Sequence, residues 1–275
     1  MGSFDPEDPL HVQLYDESPL WSAMAGLLLL EHVPLAAKRV LDLGCGTGFP
    51  LFELAERLGP GAFACGADLW MPALRRARQK ALAWPVGHAA LVRADGAALP
   101  FRDGAFDLVV SNLGLNNFAD AGAAARQCAR VLAPGGTLVL TTNLSGHMRE
   151  FYAAFEAVLA ECGDAAALAR LRAHVAHRGS VETLTALLGR AGLGVAAVHH
   201  REVAMRFAGA GALFAHHFIR MGFLPAWEAV VEEPDRDAVF AALRRRLDAI
   251  AAVNGELRLT VPLVCVLTRA TPPGA

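Results

Sequence analysis

Lysine is almost absent from the chain. Lys38 and Lys80 are the only two, although Lys and Arg together number 25. With the heavy alanine content, that imbalance is the mark of a GC-rich coding sequence and carries no functional message. An excess of charge of one sign is lacking too. The net charge is −2, which gives neither the basic footprint of a nucleic-acid binder nor the acidic excess of a solvating chain. The five cysteines, Cys45, Cys65, Cys128, Cys162 and Cys265, are scattered and form no CxxC pair. That argues against a structural zinc site and a disulfide framework, and for reduced thiols in the cytoplasm. No apolar run approaches the ~20 residues needed to span a bilayer; the one from Gly26 to Leu30 ends at Glu31. Met1 to Pro9 carry Asp5, Glu7 and Asp8 without a basic cluster, unlike a signal peptide. What the chain has in abundance is apolar residues, 54% of 275. That is ample for a core and excludes wholesale disorder. The length suits one large domain, or one domain carrying an insertion.

Residues 1–9 read as a loose tail and Pro272 to Ala275 as a frayed end. A helix is expected over 18–32, with Ser18 as its cap, Pro19 in its first turn, and Trp21, Met24, Leu27 and Leu28 at helical spacing. Strands and helices then alternate. Strands are expected at Arg39 to Leu43, Ala62 to Asp68, Ala89 to Ala94, Phe106 to Asn112 and Thr137 to Thr142. Helices are expected at Phe49 to Leu58, Met71 to Trp84 and Ala119 to Leu132. Phe106 to Asn112 is apolar on both faces, as a strand buried on both sides must be. This alternation predicts an α/β fold with a mostly parallel, doubly wound sheet. After residue 143 helices dominate, at Met148 to Glu161, Ala165 to Ala176, Val181 to Ala191, Gly211 to Met221 and Arg236 to Val253. Two long strands, Val195 to Phe207 and Leu257 to Arg269, complete the sheet.

The informative stretch is Val40-Leu41-Asp42-Leu43-Gly44-Cys45-Gly46-Thr47-Gly48. A strand runs into glycines at alternate positions and then directly into a helix. Glycine permits the tight turn and lets a ligand reach the backbone. The helix that follows offers free N–H groups and a positive dipole end. A dinucleotide-binding turn, GxGxxG, would place its third glycine at position 49. That position is Phe49, and the third glycine is Gly48.

The pattern Asp42-x-Gly44-x-Gly46-x-Gly48 resembles motif I of the class I S-adenosylmethionine (SAM)-dependent methyltransferases, of the small-molecule, type 11-like kind. Further residues match that family in order. Asp68 ends the second strand, Asp95 follows the third in Arg93-Ala94-Asp95-Gly96-Ala97, and Phe106-Asp107-Leu108-Val109-Val110-Ser111-Asn112 matches its motif IV. Leu132-Ala133-Pro134-Gly135-Gly136-Thr137-Leu138 matches its LxPGGxL turn. The likeness is strong over 38–143 and only in outline elsewhere. It implies a Rossmann-like sheet of seven strands with an antiparallel last strand, an N-terminal cap helix and helical insertions in the second half. It implies one domain over 1–275, with a cap at 10–35, a cofactor core at 38–143, and substrate-side insertions and closing strands at 144–275. It implies SAM as cofactor. Asp42 would organise the methionyl amino end and Gly44, Cys45, Gly46 and Gly48 the turn. Asp68 would face the ribose, Asp95 and Gly96 the adenine, Asn112 the end of motif IV, and Leu69 would be a further cofactor contact. Tyr15 would cover the cofactor's carboxylate.

Methyl transfer from a sulfonium needs positioning, exclusion of water and, for a protonated acceptor, a general base. His147, in Asn143-Leu144-Ser145-Gly146-His147 just past the fifth strand, is the first candidate base. A plain surface-loop histidine is the competing reading. In the pair His216-His217 at most one ring is expected to face a pocket, and His217 with Phe218 and Asn116 are taken as substrate contacts. His199 and His200 alternate faces of a strand and read as structural. Phe207, Phe214, Phe218, Met221, Phe223 and Trp227 suit either an apolar acceptor chamber or ordinary packing. Arg206 and Arg220 suit either an acidic substrate or solvent. Asn112-Leu113-Gly114-Leu115 lacks the (N/D)PP(Y/F) quartet, which argues against methylation of nucleobases and of glutamine. No N-terminal cysteine pair supports arsenite methylation. The expected activity is methyl transfer from SAM to a small-molecule acceptor at O, N or C, releasing S-adenosylhomocysteine. A SAM-binding protein without catalysis and a nicotinamide-dependent oxidoreductase are the alternatives.

Overall fold

A computed structural model describes residues 5–18, 20–84, 87–176 and 178–270. In chain order the elements are α1 (Pro9–Glu17), α2 (Leu20–His32), β1 (Arg39–Leu43), α3 (Leu51–Leu58), β2 (Phe63–Asp68), α4 (Met71–Ala83), β3 (Ala89–Arg93), β4 (Phe106–Asn112), α5 (Ala121–Val131) and β5 (Leu132–Asn143). Then come α6 (Arg149–Glu161), α7 (Ala165–Ala176), α8 (Val181–Arg190), β6 (Leu193–Phe207), α9 (Ala210–Ala215), α10 (His217–Gly222), α11 (Leu224–Glu228), α12 (Glu233–Asn254) and β7 (Leu257–Ala270).

The seven strands form one sheet in the order β3-β2-β1-β4-β5-β7-β6. β1 pairs in parallel with both β2 and β4, β2 with β3, and β4 with β5, while β7 runs antiparallel to β5. This is the expected α/β, Rossmann-like sheet with its antiparallel last strand. Val40, Leu41, Leu43, Leu108, Val109 and Val110 are buried, so the central strands are apolar on both faces. The strand order reverses between β1 and β4. At such a reversal the loops that leave the two strands diverge, and folds of this kind bind ligands at the carboxyl ends there.

The chain forms two compact units. The larger holds residues 6–143, 180–201 and 263–270; the smaller holds 144–179 and 202–262. The core of the larger is the sheet with the helices that cover it, α2 against β4 and β5, α3 against β2, and α5 against β5. The core of the smaller is aromatic. Trp227 is fully buried and stacks on Phe151 at 3.9 Å, with Phe214 edge-on at 6.3 Å and Phe155 against Phe240 at 5.6 Å.

Several expectations need correction. Pro9, expected in the tail, instead opens a helix over Pro9–Glu17, started by Asp8, whose carboxylate accepts from Leu10 N at 2.9 Å. Ser18 is the C-cap of α1 rather than the N-cap of α2, and Pro19 and the tail Pro272 to Ala275 lie outside the described residues. The helix expected over Gly211 to Met221 is two helices. His216 between them is extended (φ −64°, ψ 122°), and its N–H ends α9 on Ala212 O and Leu213 O. The Pro134-Gly135-Gly136 turn is an irregularity inside β5, between the pairs Phe106–Leu132 and Leu108–Thr137. A Cβ at Gly136 would lie 2.8 Å from Ala133 O and 3.1 Å from Asp107 O, so no other residue fits.

Among the described residues no helix is long and apolar enough to cross a membrane, and no group of three or more His, Cys, Asp and Glu is placed to hold a metal ion. The five cysteines are free, and only Cys162 is exposed.

Candidate functional site

The glycine loop leaves the buried end of β1. Its N–H groups at Gly44 and Cys45 both donate to Ala67 O, and Gly48 N closes a turn on Cys45 O at 2.8 Å. Gly46 sits at φ +52°, where a side chain is disfavoured, and a Cβ there would meet nothing within 4 Å. Its bare backbone faces open space. Gly48 sits at φ +101°, and a Cβ would strike the Phe52 ring at 2.3 Å. Phe49 packs its ring into the notch left by Gly26 of α2, where a Cβ would approach Cε1 to 2.2 Å. It is thus a helix-packing residue where a dinucleotide turn has its third glycine.

Three carboxylates surround the loop. Asp42 is wholly buried, and neither carboxylate oxygen has a hydrogen-bond partner. Burial, followed by the charge of Asp68, pushes its pKa up to about 8, against a weak opposing effect of the Leu51 backbone at the head of α3. Asp68 is half-buried at the end of β2. Its Oδ2 accepts from Gly46 N at 2.7 Å and its Oδ1 from Trp70 N at 2.8 Å, so one side chain braces the glycine loop and starts α4. Each oxygen keeps a second acceptor position. Asp95 is exposed; its Oδ1 accepts from Ala97 N at 2.9 Å and shapes the turn after β3. Gly96 is buried beside Phe118, and Leu69, next to Asp68, leaves 55% of its apolar surface bare.

Two cofactor assignments change. The Cys45 side chain points into the core against Gly66, and burial raises its thiol far above the ordinary range, so only its backbone is open to a ligand. The Asn112 amide is committed to the protein. Its Nδ2 donates to Ser22 O at 2.9 Å and its Oδ1 accepts from Thr141 Oγ1 at 2.7 Å. It ties α2 to the central strands.

Tyr15, on α1, stands edge-on to Trp70 at 5.4 Å. Burial raises its pKa, and the charges of Asp68 and Asp16 add to that. The ring therefore lies at the end of β2. Asp16 beside it was missed in the sequence. Its carboxylate binds Arg76 Nε at 2.8 Å and Lys80 Nζ at 2.6 Å, and it is also hydrogen-bonded by Thr47 of the glycine loop. Burial raises the Asp16 carboxyl, but these three partners outweigh it and its net pKa falls. No local pattern announces this clasp; its only signal is an acidic residue next to Tyr15.

Of the other predicted residues, Asn116, His199 and His200 belong to the larger unit and the rest to the smaller. His147 is 1% exposed, not a surface-loop residue. Gly146 before it has φ +84°, and Met148 after it has φ +50° although it is a buried, non-glycine residue. Such a backbone costs on the order of 1–2 kcal/mol. It is held by Met148 N donating to Thr260 O at 2.7 Å, while Glu150 accepts from Thr260 N at 2.8 Å and from its hydroxyl at 2.5 Å. The His147 ring lies 5.6 Å from Phe223, and Phe218 stands edge-on to the same Phe223 at 5.6 Å. The structure thus brings His147 and Phe218 to one aromatic neighbour. His217 stacks on His216 at 4.9 Å, and a helix break separates the two. The Asn116 side chain lies outside the described residues. Phe214 and Trp227 fill a core rather than a chamber, Arg206 is paired with Glu256, and His199 stacks on His32 at 3.6 Å.

The larger unit's cradle asks for a ligand with a cation for Asp42, hydroxyls for Asp68 and a flat apolar face for Leu69. SAM carries an ammonium, a ribose and an adenine, and the residues present fit it.

Comparison with known proteins agrees. Residues 41–140 match the family described as a methyltransferase domain. The chain is 34% identical over 261 residues to nocamycin O-methyltransferase of Saccharothrix syringae, covering 90% of each chain. It is 48% identical over 120 residues to demethylmenaquinone methyltransferase of Thermus thermophilus, which is 44% of this chain and 52% of that relative. The match thus spans about half the length of the second protein. Among solved structures, a SAM-dependent methyltransferase from Aquifex aeolicus shares the fold with a TM-score of 0.53 at 18% identity, over 70% of this chain and 91% of that one.

Proposed function

The chain belongs to the class I SAM-dependent methyltransferases, and we propose that it methylates an oxygen atom of a small molecule, releasing S-adenosylhomocysteine. The observation that carries this reading is the extent of the likeness to an O-methyltransferase. That likeness runs through 90% of both chains and so includes residues beyond 143, whereas the likeness to the quinone-type relative stops at 44% of this chain. In this reading the larger unit binds the methyl donor, and the acceptor's contacts come from residues 144–275.

SAM supplies a methyl group already activated on a sulfonium, so the protein's work is binding, alignment and removal of a proton. Asp42 receives the ammonium of the cofactor, which is the cation its buried carboxylate lacks. Asp68 accepts from the ribose hydroxyls while bracing Gly46, whose missing side chain admits the ligand to the backbone. The outer oxygen of Asp95 accepts from the adenine amine. A His147 ring nitrogen takes the proton of the acceptor hydroxyl. Its burial keeps water from competing, and the strained turn around it holds the ring in one place.

The test joins titration and product analysis. SAM should bind the purified protein, and a panel of hydroxylated acceptors should give a product heavier by one methylene whose new carbon is a methoxy by NMR. An N-methyl or C-methyl product would overturn the assignment to oxygen. Binding of NAD(H) without binding of SAM would overturn the whole reading.

A further inference from the structure

Among the described residues Arg178 is a partly buried cation without a counter-charge. It lies between α7 and the capped start of α8, and its Nη1 is shut off from solvent with no hydrogen-bond partner. No carboxylate of the described residues acts on it. Burial pulls its pKa below the usual guanidinium value, and the one group that opposes this is the Tyr152 phenol. That phenol cannot neutralise it, because burial raises the pKa of Tyr152 and keeps it uncharged. Tyr152 Oη also receives the indole N–H of Trp227 at 3.2 Å and meets His174 Nε2 at 3.2 Å. An uncompensated buried charge is costly, and natural chains keep one where something else completes it.

The place of Arg178 says what that is. Ser145 N donates to Gly179 O at 3.0 Å, which ties the residue after Arg178 to the loop that carries His147. Phe223, the ring neighbour of His147, is 5.7 Å from Trp227, whose indole reaches Tyr152. Arg178 and His147 are therefore joined along two short routes inside the smaller unit.

We propose that Arg178, with the Tyr152 hydroxyl beside it, binds a carboxylate group of the acceptor molecule. This rests on the reading that residues 144–275 contact the acceptor. A guanidinium is planar and matches a carboxylate with two parallel N–H···O bonds. Among the described residues no second cation acts on Arg178 to help balance a phosphate dianion. One guanidinium balances one carboxylate.

The experiment titrates the full chain, loaded with S-adenosylhomocysteine, with benzoate and with benzamide. Benzoate should bind at least tenfold more tightly than its neutral amide. Arg178→Gln should erase that preference, and Arg178→Lys should keep part of it. S-adenosylhomocysteine affinity, measured separately, should be the same in all three proteins. Thermal unfolding gives a readout independent of any ligand. Arg178→Met should leave Tm unchanged or raised, since it removes an uncompensated charge. Equal binding of benzoate and benzamide would overturn the proposal, as would a preference that survives Arg178→Gln, or a fall of several degrees in Tm for Arg178→Met. Failure of the methyltransferase reading would look different: no binding of S-adenosylhomocysteine, with the preference for benzoate intact.

Discussion

Binding of SAM should release a proton, and the amount should depend on pH in a way set by Asp42. In the cofactor-free protein this buried carboxyl has a pKa of about 8. At pH 7 it is therefore about nine-tenths protonated. A cationic amino group placed against it favours the carboxylate, so the complex holds Asp42 ionised. Binding at pH 7 should then release about 0.9 proton through this group, and about 0.1 at pH 9. The affinity should follow. From pH 8 to 7 the cost is about fivefold and each further unit of acidification costs close to tenfold, so lowering the pH from 8 to 6 weakens binding about fiftyfold, or about 2.3 kcal/mol. Calorimetry in buffers of different ionisation enthalpy measures the released proton directly. Asp42→Asn should abolish the release and flatten the pH dependence. A binding enthalpy at pH 7 independent of the buffer would refute the reasoning. The same group bears on the unliganded fold. Its pKa is raised above the unfolded value of 3.8, so its contribution is fully present below about pH 4. That contribution is lost as pH rises to about 8, by roughly 1.4 kcal/mol per unit.

Asp68→Ala should weaken SAM binding more than tenfold, because it removes both the acceptor for the ribose hydroxyls and the brace on Gly46 N; an unchanged titration would sink that assignment. His147→Ala should leave SAM affinity alone and lower turnover by about 10²–10⁴ if the imidazole is the base, and equal turnover would end the idea. Gly26→Ala should destabilise the larger unit by about 1–3 kcal/mol, since its Cβ would overlap the Phe49 ring; denaturant unfolding measures this, and no change would mean that the ring is free to move. Among replacements of Met148, Gly should be more stable than Ala by roughly 1 kcal/mol, because glycine relieves the left-handed strain that alanine keeps; the reverse order in denaturant would show that the turn is unstrained.

The sheet was legible for a local reason. Strands buried on both faces need runs such as Phe106 to Asn112, whereas Pro134-Gly135-Gly136, which reads as a turn, lies inside β5 as a break in its register. What escaped was held by distant partners. In α1 the apolar Leu10, Val12 and Leu14 alternate with polar residues, a period of two that does not read as a helix, and its half-buried Asp16 is fixed by Arg76 and Lys80, 60 and 64 residues away. The break at His216 interrupts an unbroken amphipathic pattern that contains no glycine or proline at that point, so local propensity could not place it.

The same contrast divides the candidate site. A cofactor is met by strand ends and bare backbone, and both are local properties. Asp42, the glycines, Asp68 and Asp95 therefore announce themselves by spacing alone. Even there, side-chain direction was hidden: Cys45 turns into the core, and Asn112 is taken by Ser22, 90 residues earlier. An acceptor, in contrast, is met by side chains that packing brings together. His147 lies in a Ser-Gly stretch that reads as surface, yet it is buried because the left-handed turns at Gly146 and Met148 fold the loop inward onto Thr260. Arg178 carries no motif at all. Its interest comes from the absence, among the described residues, of a carboxylate near a half-buried guanidinium, and only three-dimensional neighbours can reveal such an absence. A motif reading thus reaches the donor and the reaction class, while groups such as Arg178 have to be found in the folded chain.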